Sequence, residues 1–440
     1  MTGGRLSSVI LKLAIPNTVG LLVIAAYSLA DSFFVASLGT DASAAVGVTF
    51  SLHVLVQAVG YTLGMGAGSL ISRALGRRER ERASQYATPA FWLALLLGAL
   101  ITVLGLCFSE PWLRFLGASG SVLPYAKAYL RPFLWSAPAM CGVFVLSQLL
   151  RSEGKALYSM TGLLVGSLLN IALDPLFITA LGMGIAGASV ATLISQYVSL
   201  AVLLSAYWRR KSAVSLLAFK KTRLPSTVGR ICVAGLPSLF RQGLSGISAI
   251  LLNHAAARVG DAAVAGMSLV ARIFLLVFSF CLGIGQGMMP VVGYCRGAGE
   301  AARIRRAYRF SVLSAALVML LFSIPLFFFS ADIISLFQRE RAAAEIGAAA
   351  LRAQALVLTT HGLVTCTILF LQAFGKPVHG TVLAAARQGI FFLPLILWLP
   401  RRFGLVGLEW TQPLADLCTA LFAIPFVIYA YRLTKRSAAP

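Results

Sequence analysis

The stretch G-V-T-F-S-L-H-V-L-V-Q-A-V-G-Y-T-L-G-M-G-A-G, residues 47–68, returns in outline as G-M-S-L-V-A-R-I-F-L-L-V-F-S-F-C-L-G-I-G-Q-G, residues 266–287. In each copy one glycine stands seventeen residues ahead of a Gly-x-Gly-x-Gly cluster: Gly47 before Gly64, Gly66 and Gly68, and Gly266 before Gly283, Gly285 and Gly287. The offset of 219 is about half of the 440 residues. Three further pairs keep nearly the same offset: Pro16 with Pro237, Gly154-Lys155 with Gly375-Lys376, and Gly184-x-x-Gly187 with Gly404-x-x-Gly407. The chain is therefore one unit written twice. Duplicated halves in a membrane protein give two bundles that can move against each other about a site.

Composition makes both copies membranous. The chain is 59% hydrophobic and only 12% charged, with a mean hydropathy of +0.86, whereas soluble domains carry about 25% charged residues. Apolar stretches long enough to cross a bilayer fall at roughly 9–37, 45–72, 88–108, 128–150, 157–180, 186–207, 231–257, 262–292, 308–329, 346–373, 377–399 and 405–431. The expected fold is an all-α membrane protein of twelve transmembrane helices. The halves are a six-helix lobe over 1–207 and a six-helix lobe over 231–440, joined by a basic cytoplasmic linker over 208–230. Six spans per half leave the halves parallel, as a pseudo-two-fold repeat about the membrane normal.

The net charge of +23 does not mark a nucleic-acid partner. With the N-terminus inside, 25 Lys and Arg fall in inside segments and 9 in outside ones. That bias is a topology signal and puts both termini in the cytoplasm; the same charge can hold anionic lipid headgroups. The seven cysteines show no C-x-x-C pair. Cys107, Cys141, Cys281, Cys366 and Cys418 read as small buried apolar residues, with no disulfide framework. A leader peptide is set aside because the first span is too long and its Pro16 has a repeat partner. Gly64-Met65-Gly66-Ala67-Gly68 lies inside an apolar span with no Gly-Lys-Ser/Thr after it. It reads as close helix packing and a bendable helix, not a phosphate loop.

The acids single out a site. Of 14 acidic residues most lie in loops, but Asp31 and Asp174 fall within the first and fifth spans. A charge at membrane depth costs a few kcal/mol and such residues usually act. The bland alternatives are an interfacial position for Asp31 and a helix break managed at Pro175 for Asp174. Neither acid is duplicated: the matching positions are Leu252 and Leu393. A copied scaffold recurs, whereas a single functional site need not. Tyr27 stands four before Asp31 and Asn170 four before Asp174, each pair on one helical face, and Thr192 lies in the sixth span. This set makes an oxygen shell for a hard cation such as Na⁺. Equally, two close carboxylates in a low dielectric can share and carry a proton. In the second half, Arg241, Arg272 and Arg387 lie in or near spans, with Glu409 and Asp416 in the twelfth. One Arg–acid pair is the preferred reading, and a second coupling site the other. His53, His254, His361 and His379 show no metal spacing and read as packing or interface residues. No Ser-His-Asp, Walker, H-E-x-x-H or kinase pattern occurs, so no enzyme and no cofactor are expected.

These residues resemble the multidrug and toxic compound extrusion (MATE) transporters over essentially the whole length. The resemblance rests on Pro16 with Tyr27-x-x-x-Asp31, A-A-V-G…G-M-G-A-G-S-L-I-S-R-A-L-G (44–76), L-L-R-S-E-G-K (149–155) and N-I-A-L-D-P-L-F-I (170–178). It continues through G-M-G-I-A-G-A-S-V-A-T-L-I-S-Q (182–196), G-I-G-Q-G-M-M-P-V-V-G-Y-C-R-G-A-G (283–299) and L-Q-A-F-G-K (371–376). It implies two lobes in a V around a cleft and export of organic compounds in exchange for H⁺ or Na⁺ in a bacterial inner membrane. Asp31, Asn170, Asp174 and Thr192, with Tyr27 adjacent, match the family's first-lobe cation site, and Pro16 its helix-one bend. Many relatives carry an acid in helix seven; here L-F-R-Q-G-L-S-G (239–246) has Arg241 and Gln242 instead. Expected partners are small organic substrates and membrane lipids, with no nucleic acid, and the chain is expected to be a monomer. Two other readings are weighed: a lipid-linked oligosaccharide or polysaccharide flippase, which would line its cleft with basic residues such as Arg241 and Arg387, and a membrane-embedded enzyme.

Overall fold

A computed structural model describes residues 4–36, 38–116, 118, 120–209, 211–218, 224–338 and 340–436. Among them there is no strand. The helices are α1 (Leu6–Ala36), α2 (Thr40–Gly76), α3 (Arg80–Cys107), a short α4 (Ser109–Phe115), α5 (Val122–Ser152), α6 (Ala156–Pro175) and α7 (Ile185–Trp208). The second half repeats the order with α8 (Leu224–Val259), α9 (Asp261–Gly297), α10 (Ala301–Phe328), a short α11 (Ser330–Ser335), α12 (Arg341–Val357), α13 (Thr360–Phe374), α14 (Pro377–Ala385) and α15 (Phe392–Arg436). Nine described helices are long and apolar enough to span a bilayer, and α12 with α13, bent by 59°, form a tenth. The run Pro377–Lys435 is 59 residues, enough for two passes, and breaks at Gly404. With α8, whose 36 residues are long enough but carry arginines, the passes reach the expected twelve.

The break is encoded twice. Gly404 has φ 56° and Gly184, its repeat partner, φ 57°, a left-handed conformation that only glycine adopts without strain. Three residues on, a Cβ on Gly187 would meet the Phe177 carbonyl, and one on Gly407 the Leu399 carbonyl.

The chain packs as two compact units, Val19–Gly235, and Met1–Thr18 with Leu236–Pro440. This differs from division in chain order at 207 and 231, because α1 and α8 are each shared. Both exchanges occur beside a proline, Pro16 in α1 and Pro237 in α8, where the ring removes a helical hydrogen bond. Glycines supply the contact surfaces. In the first-named unit Gly66 of α2 meets the α8 backbone at Ile231 and Gly235, and Gly235 meets Thr62. In the other, Gly287 of α9 packs on Ala14 of α1, whose amide a Cβ would approach to 2.8 Å, and Gly283 packs on Thr18. The Gly-x-Gly-x-Gly clusters are thus close-packing surfaces. Gly66→Ala is therefore expected to destabilise by about 1–3 kcal/mol or more, since backbone cannot yield cheaply. Gly47→Ala, with nothing within 4 Å of its added Cβ, is expected to be neutral or stabilising. Thermal midpoints of the two variants in detergent check this, and equal midpoints refute it.

In the unit Val19–Gly235, α5 is the central helix. Every residue of it from Ala139 to Ser152 is buried, and α2, α3, α6 and α7 surround it. Arg151, counted above with the cytoplasmic charges, is buried at 4% exposure; its Nε donates to Ser159 Oγ at 2.9 Å. The linker is no loose strap. Glu153, its side chain 1% exposed, accepts from Ser212 Oγ at 2.6 Å and from the Ala213 amide at 2.7 Å. Thr88 and Trp92 of α3 donate to the carbonyls of Ser215 and Leu216 at 3.1 and 3.0 Å. Residues 211–218 are thereby laid along α3. Arg210, Lys220, Lys221 and Arg223 of the linker, and Arg339, lie outside the described residues. In the other unit α9, α10, α13 and α15 pack together around Tyr308, whose hydroxyl pairs with Thr367 at 2.8 Å. All seven cysteines are free; Cys107 is exposed and Cys418 half-buried, unlike the buried positions expected of them. Both lie on apolar spans, where a thiol can face either lipid or protein.

Candidate cation-coupling site

Tyr27 and Asp31 lie one turn apart on α1, Asn170 and Asp174 one turn apart on α6, and Thr192 on α7. All five belong to the compact unit Val19–Gly235, and Pro16 belongs to the other. Asp174, Asn170 and Thr192 are buried at 0, 2 and 5% exposure. Just beyond Asp174 the helix loosens into a π-helical stretch, Leu176–Ala180, a distortion frequent at functional sites. Pro175 starts it, since a proline cannot continue the α-helical ladder.

The structure brings these side chains together. Asn170 Nδ2 donates to Asp174 Oδ1 and to Thr192 Oγ1, both at 3.4 Å, and Thr192 Oγ1 donates back to the Ala188 carbonyl at 3.1 Å. Asp31 and Asp174 interact electrostatically, and Tyr27 feels both carboxylates. Several buried oxygens have no hydrogen-bond partner among the described residues: Asp31 Oδ1, Asn170 Oδ1, Asp174 Oδ2 and Ser195 Oγ. Buried acceptors of this kind cost on the order of 1–3 kcal/mol each unless something positive reaches them. A proton or a hard cation supplies that, and the all-oxygen donor set suits either. No group of three or more His, Cys, Asp or Glu converges among the described residues; a cation here would meet two carboxylates and neutral oxygens.

Beside them lies a cavity of about 30 Å³ lined by Tyr27, Asn170, Thr192, Ser195, Gln57 and Ser199 among others. That volume holds a water or a bare ion but falls far short of the 300 Å³ or more that organic ligands occupy. Sequence reading missed two members, Ser195 and Tyr129. Ser195 sits one turn after Thr192, so helical spacing could have found it. Tyr129, buried at 7% on α5, feels Asp31, Tyr27 and Asp174, and nothing in its local sequence points there.

The charged residues of the second half form a separate cluster within their own unit. Asp416, 1% exposed, accepts from Arg387 Nε at 2.7 Å and Gln412 Nε2 at 2.9 Å on Oδ1, and from Gln354 Nε2 at 2.8 Å on Oδ2. His361 Nε2 stands 3.2 Å from Oδ2, not aligned as a hydrogen bond. The guanidinium of Arg387 lies 5.0 Å from the ring centre of Phe274 and 5.6 Å from that of Phe278. The Arg–acid pair expected of this half is therefore Arg387–Asp416, and it recruits His361. Its carboxylate is saturated, whereas those of Asp31 and Asp174 are not. Glu409 has no such partner among the described residues, and Arg241 reaches Gln242 at 3.4 Å.

A family model described as MatE matches residues 16–176 and again 237–398. The two matches begin at Pro16 and Pro237, the pair that marks the duplication. The chain is 25% identical over 421 residues to the multidrug export protein MepA of Staphylococcus saprophyticus, covering 95% of this chain and 92% of that one. Among solved structures it superposes with a TM-score of 0.91 on a multidrug resistance MATE family transporter of the MOP superfamily in an outward-facing conformation, at 28% identity and covering 99% and 98% of the two chains. It superposes equally well, at 0.91 and 27% identity with the same coverage, on a MOP superfamily transporter from Pyrococcus furiosus described as having a binding pocket of reverse polarity that suggests a different function.

Proposed function

Because the chain belongs to the MatE family, we propose that it is an antiporter that exports organic, often cationic or amphipathic, compounds in exchange for a cation loaded at Asp31 and Asp174. What carries this reading is the pair of carboxylates with buried, unpartnered oxygens, present in one half of a duplicated scaffold, whose neighbours Tyr27, Asn170 and Thr192 line a small cavity. Loading one cation lowers the negative charge of the pair by one, and α1 flexes at Pro16 as that charge changes. The 25-to-9 bias of Lys and Arg supports a bacterial inner membrane with both termini in the cytoplasm. Substrates are small organic molecules, the chain acts as a monomer, and no cofactor or catalytic group is assigned.

Of the two ions, the proton is favoured, because Asp31 and Asp174 interact and two close carboxylates in a low dielectric can share and carry one proton. The experiment is uptake of a fluorescent organic cation into everted vesicles, which corresponds to efflux from the cell. An imposed pH gradient should drive it without Na⁺, and Thr192→Ala should be tolerated better than Asp31→Asn, because a threonine cannot carry the proton. Efflux that requires Na⁺ at every pH, with Thr192→Ala as damaging as Asp31→Asn, would replace the proton by sodium at the same residues. The flippase reading loses its support at Arg387, whose charge is neutralised by Asp416.

A further inference from the structure

A second cavity, about 400 Å³, lies within the unit that holds the second half of the chain, far larger than the one lined by Asn170 and Thr192. One wall is a single face of α8, carrying Leu251, His254, Ala255, Arg258 and Val259 at helical spacing. The other is the segment of α15 running into the break at Gly404, with Ile396, Leu397, Pro400 and Arg401. The two arginines stand near the ends of their helical segments, and Leu251, Ala255, Ile396 and Leu397 lie one to two turns earlier along each. The cavity is therefore basic at one end and greasy at the other. Leu397 is 51% exposed, so the greasy end opens on the surface of a membrane-spanning unit.

Arg258 and Arg401 have no ion pair and no hydrogen bond among the described residues. The nearest acids along the chain, Asp261 and Glu409, pair with neither. Nor is the arrangement part of the copied scaffold: the matching positions in the first half are Phe33, Ser37 and Leu181 where this half has His254, Arg258 and Arg401. Two uncompensated guanidinium groups beside an apolar slot, found in one half only, match an anion attached to a hydrocarbon chain. Guanidinium recognises phosphate oxygens with paired N–H donors.

We propose that this cavity binds an anionic phospholipid, with Arg258 and Arg401 on the phosphodiester, His254 beside them, and an acyl chain along Leu251, Ile396 and Leu397. A volume of about 400 Å³ takes a headgroup and the start of one chain, and the remaining acyl carbon stays in the bilayer. The assignment does not depend on which way the chain faces, nor on the coupling ion.

Native mass spectrometry of the full chain in detergent, titrated with dioleoyl phosphatidylglycerol, tests it. The wild type should retain one phosphatidylglycerol after detergent has stripped the rest. Arg258→Gln/Arg401→Gln should weaken that binding by at least about tenfold, the effect of losing charge-assisted hydrogen bonds. Arg402→Gln, the neighbouring arginine that does not line the cavity, should leave it unchanged and controls for charge alone. Ala255→Trp, which fills the slot without touching charge, should weaken it too. Dioleoylglycerol, with the chains but no phosphate, should not be retained, and excess glycerol phosphate should not displace the lipid. Equal retention by wild type and the double glutamine variant would overturn the site. Retention of dioleoylglycerol would reduce it to apolar filling, and displacement by glycerol phosphate would make it a site for a soluble anion; either result overturns the lipid assignment.

Discussion

Asp174→Asn and Asp31→Asn each bring gradient-driven efflux down to the level of vesicles lacking the protein, while the amount of folded protein in the membrane is unchanged. The expectation follows from the environment of the two carboxylates. Each leaves a buried oxygen unpartnered, and a buried ionised group without a partner is expensive. The chain carries that cost without any packing return, which is the mark of a group kept for what it binds. Asparagine has nearly the same volume, keeps an oxygen to accept from Asn170, and cannot take up a proton in this range. Its thermal midpoint in detergent near neutral pH should therefore equal or exceed that of the wild type. The stability measurement separates function from scaffolding. If Asp174→Asn lowers the midpoint by many degrees, the acid is structural and manages the break at Pro175. If either variant transports like the wild type, the site lies elsewhere.

The opposite behaviour is expected at Asp416. Its carboxylate accepts from Arg387, Gln412 and Gln354 within 2.9 Å. Asp416→Leu removes every acceptor and strands the guanidinium, whose side chain is only 17% exposed. Breaking one side of a buried pair costs about 3–5 kcal/mol, whereas replacing both partners with apolar groups of similar size is often near neutral. Asp416→Leu should thus lower the thermal midpoint strongly, and Asp416→Leu/Arg387→Met should recover much of the loss. Asp416→Asn, which keeps one oxygen, should fall between the wild type and Asp416→Leu. A double variant no more stable than Asp416→Leu would show that the two charges do not act as a unit. The two clusters then differ in kind: one carboxylate is saturated and holds helices together, and two are left open to an ion.

The duplication, the helical class and the membrane setting were readable from the sequence, and for a physical reason. A bilayer demands apolar runs about 20 residues long, and close helix contact demands glycine, so both requirements are written locally. The acids were readable for the same reason, since any charge inside an apolar run is conspicuous, and the copied scaffold showed which charges had no counterpart. Tertiary structure alone decided the rest. The sharing of α1 and α8 between compact units depends on which glycine faces which backbone across more than 160 residues of chain. The pairing of Arg387 with Asp416, and not with Glu409, depends on the direction each side chain leaves its helix. Tyr129 joins the acid site from a helix whose own sequence carries no signal of it. Spacing along one helix is visible in a sequence because 3.6 residues make a turn; contact between helices is set by packing, and no local pattern records it.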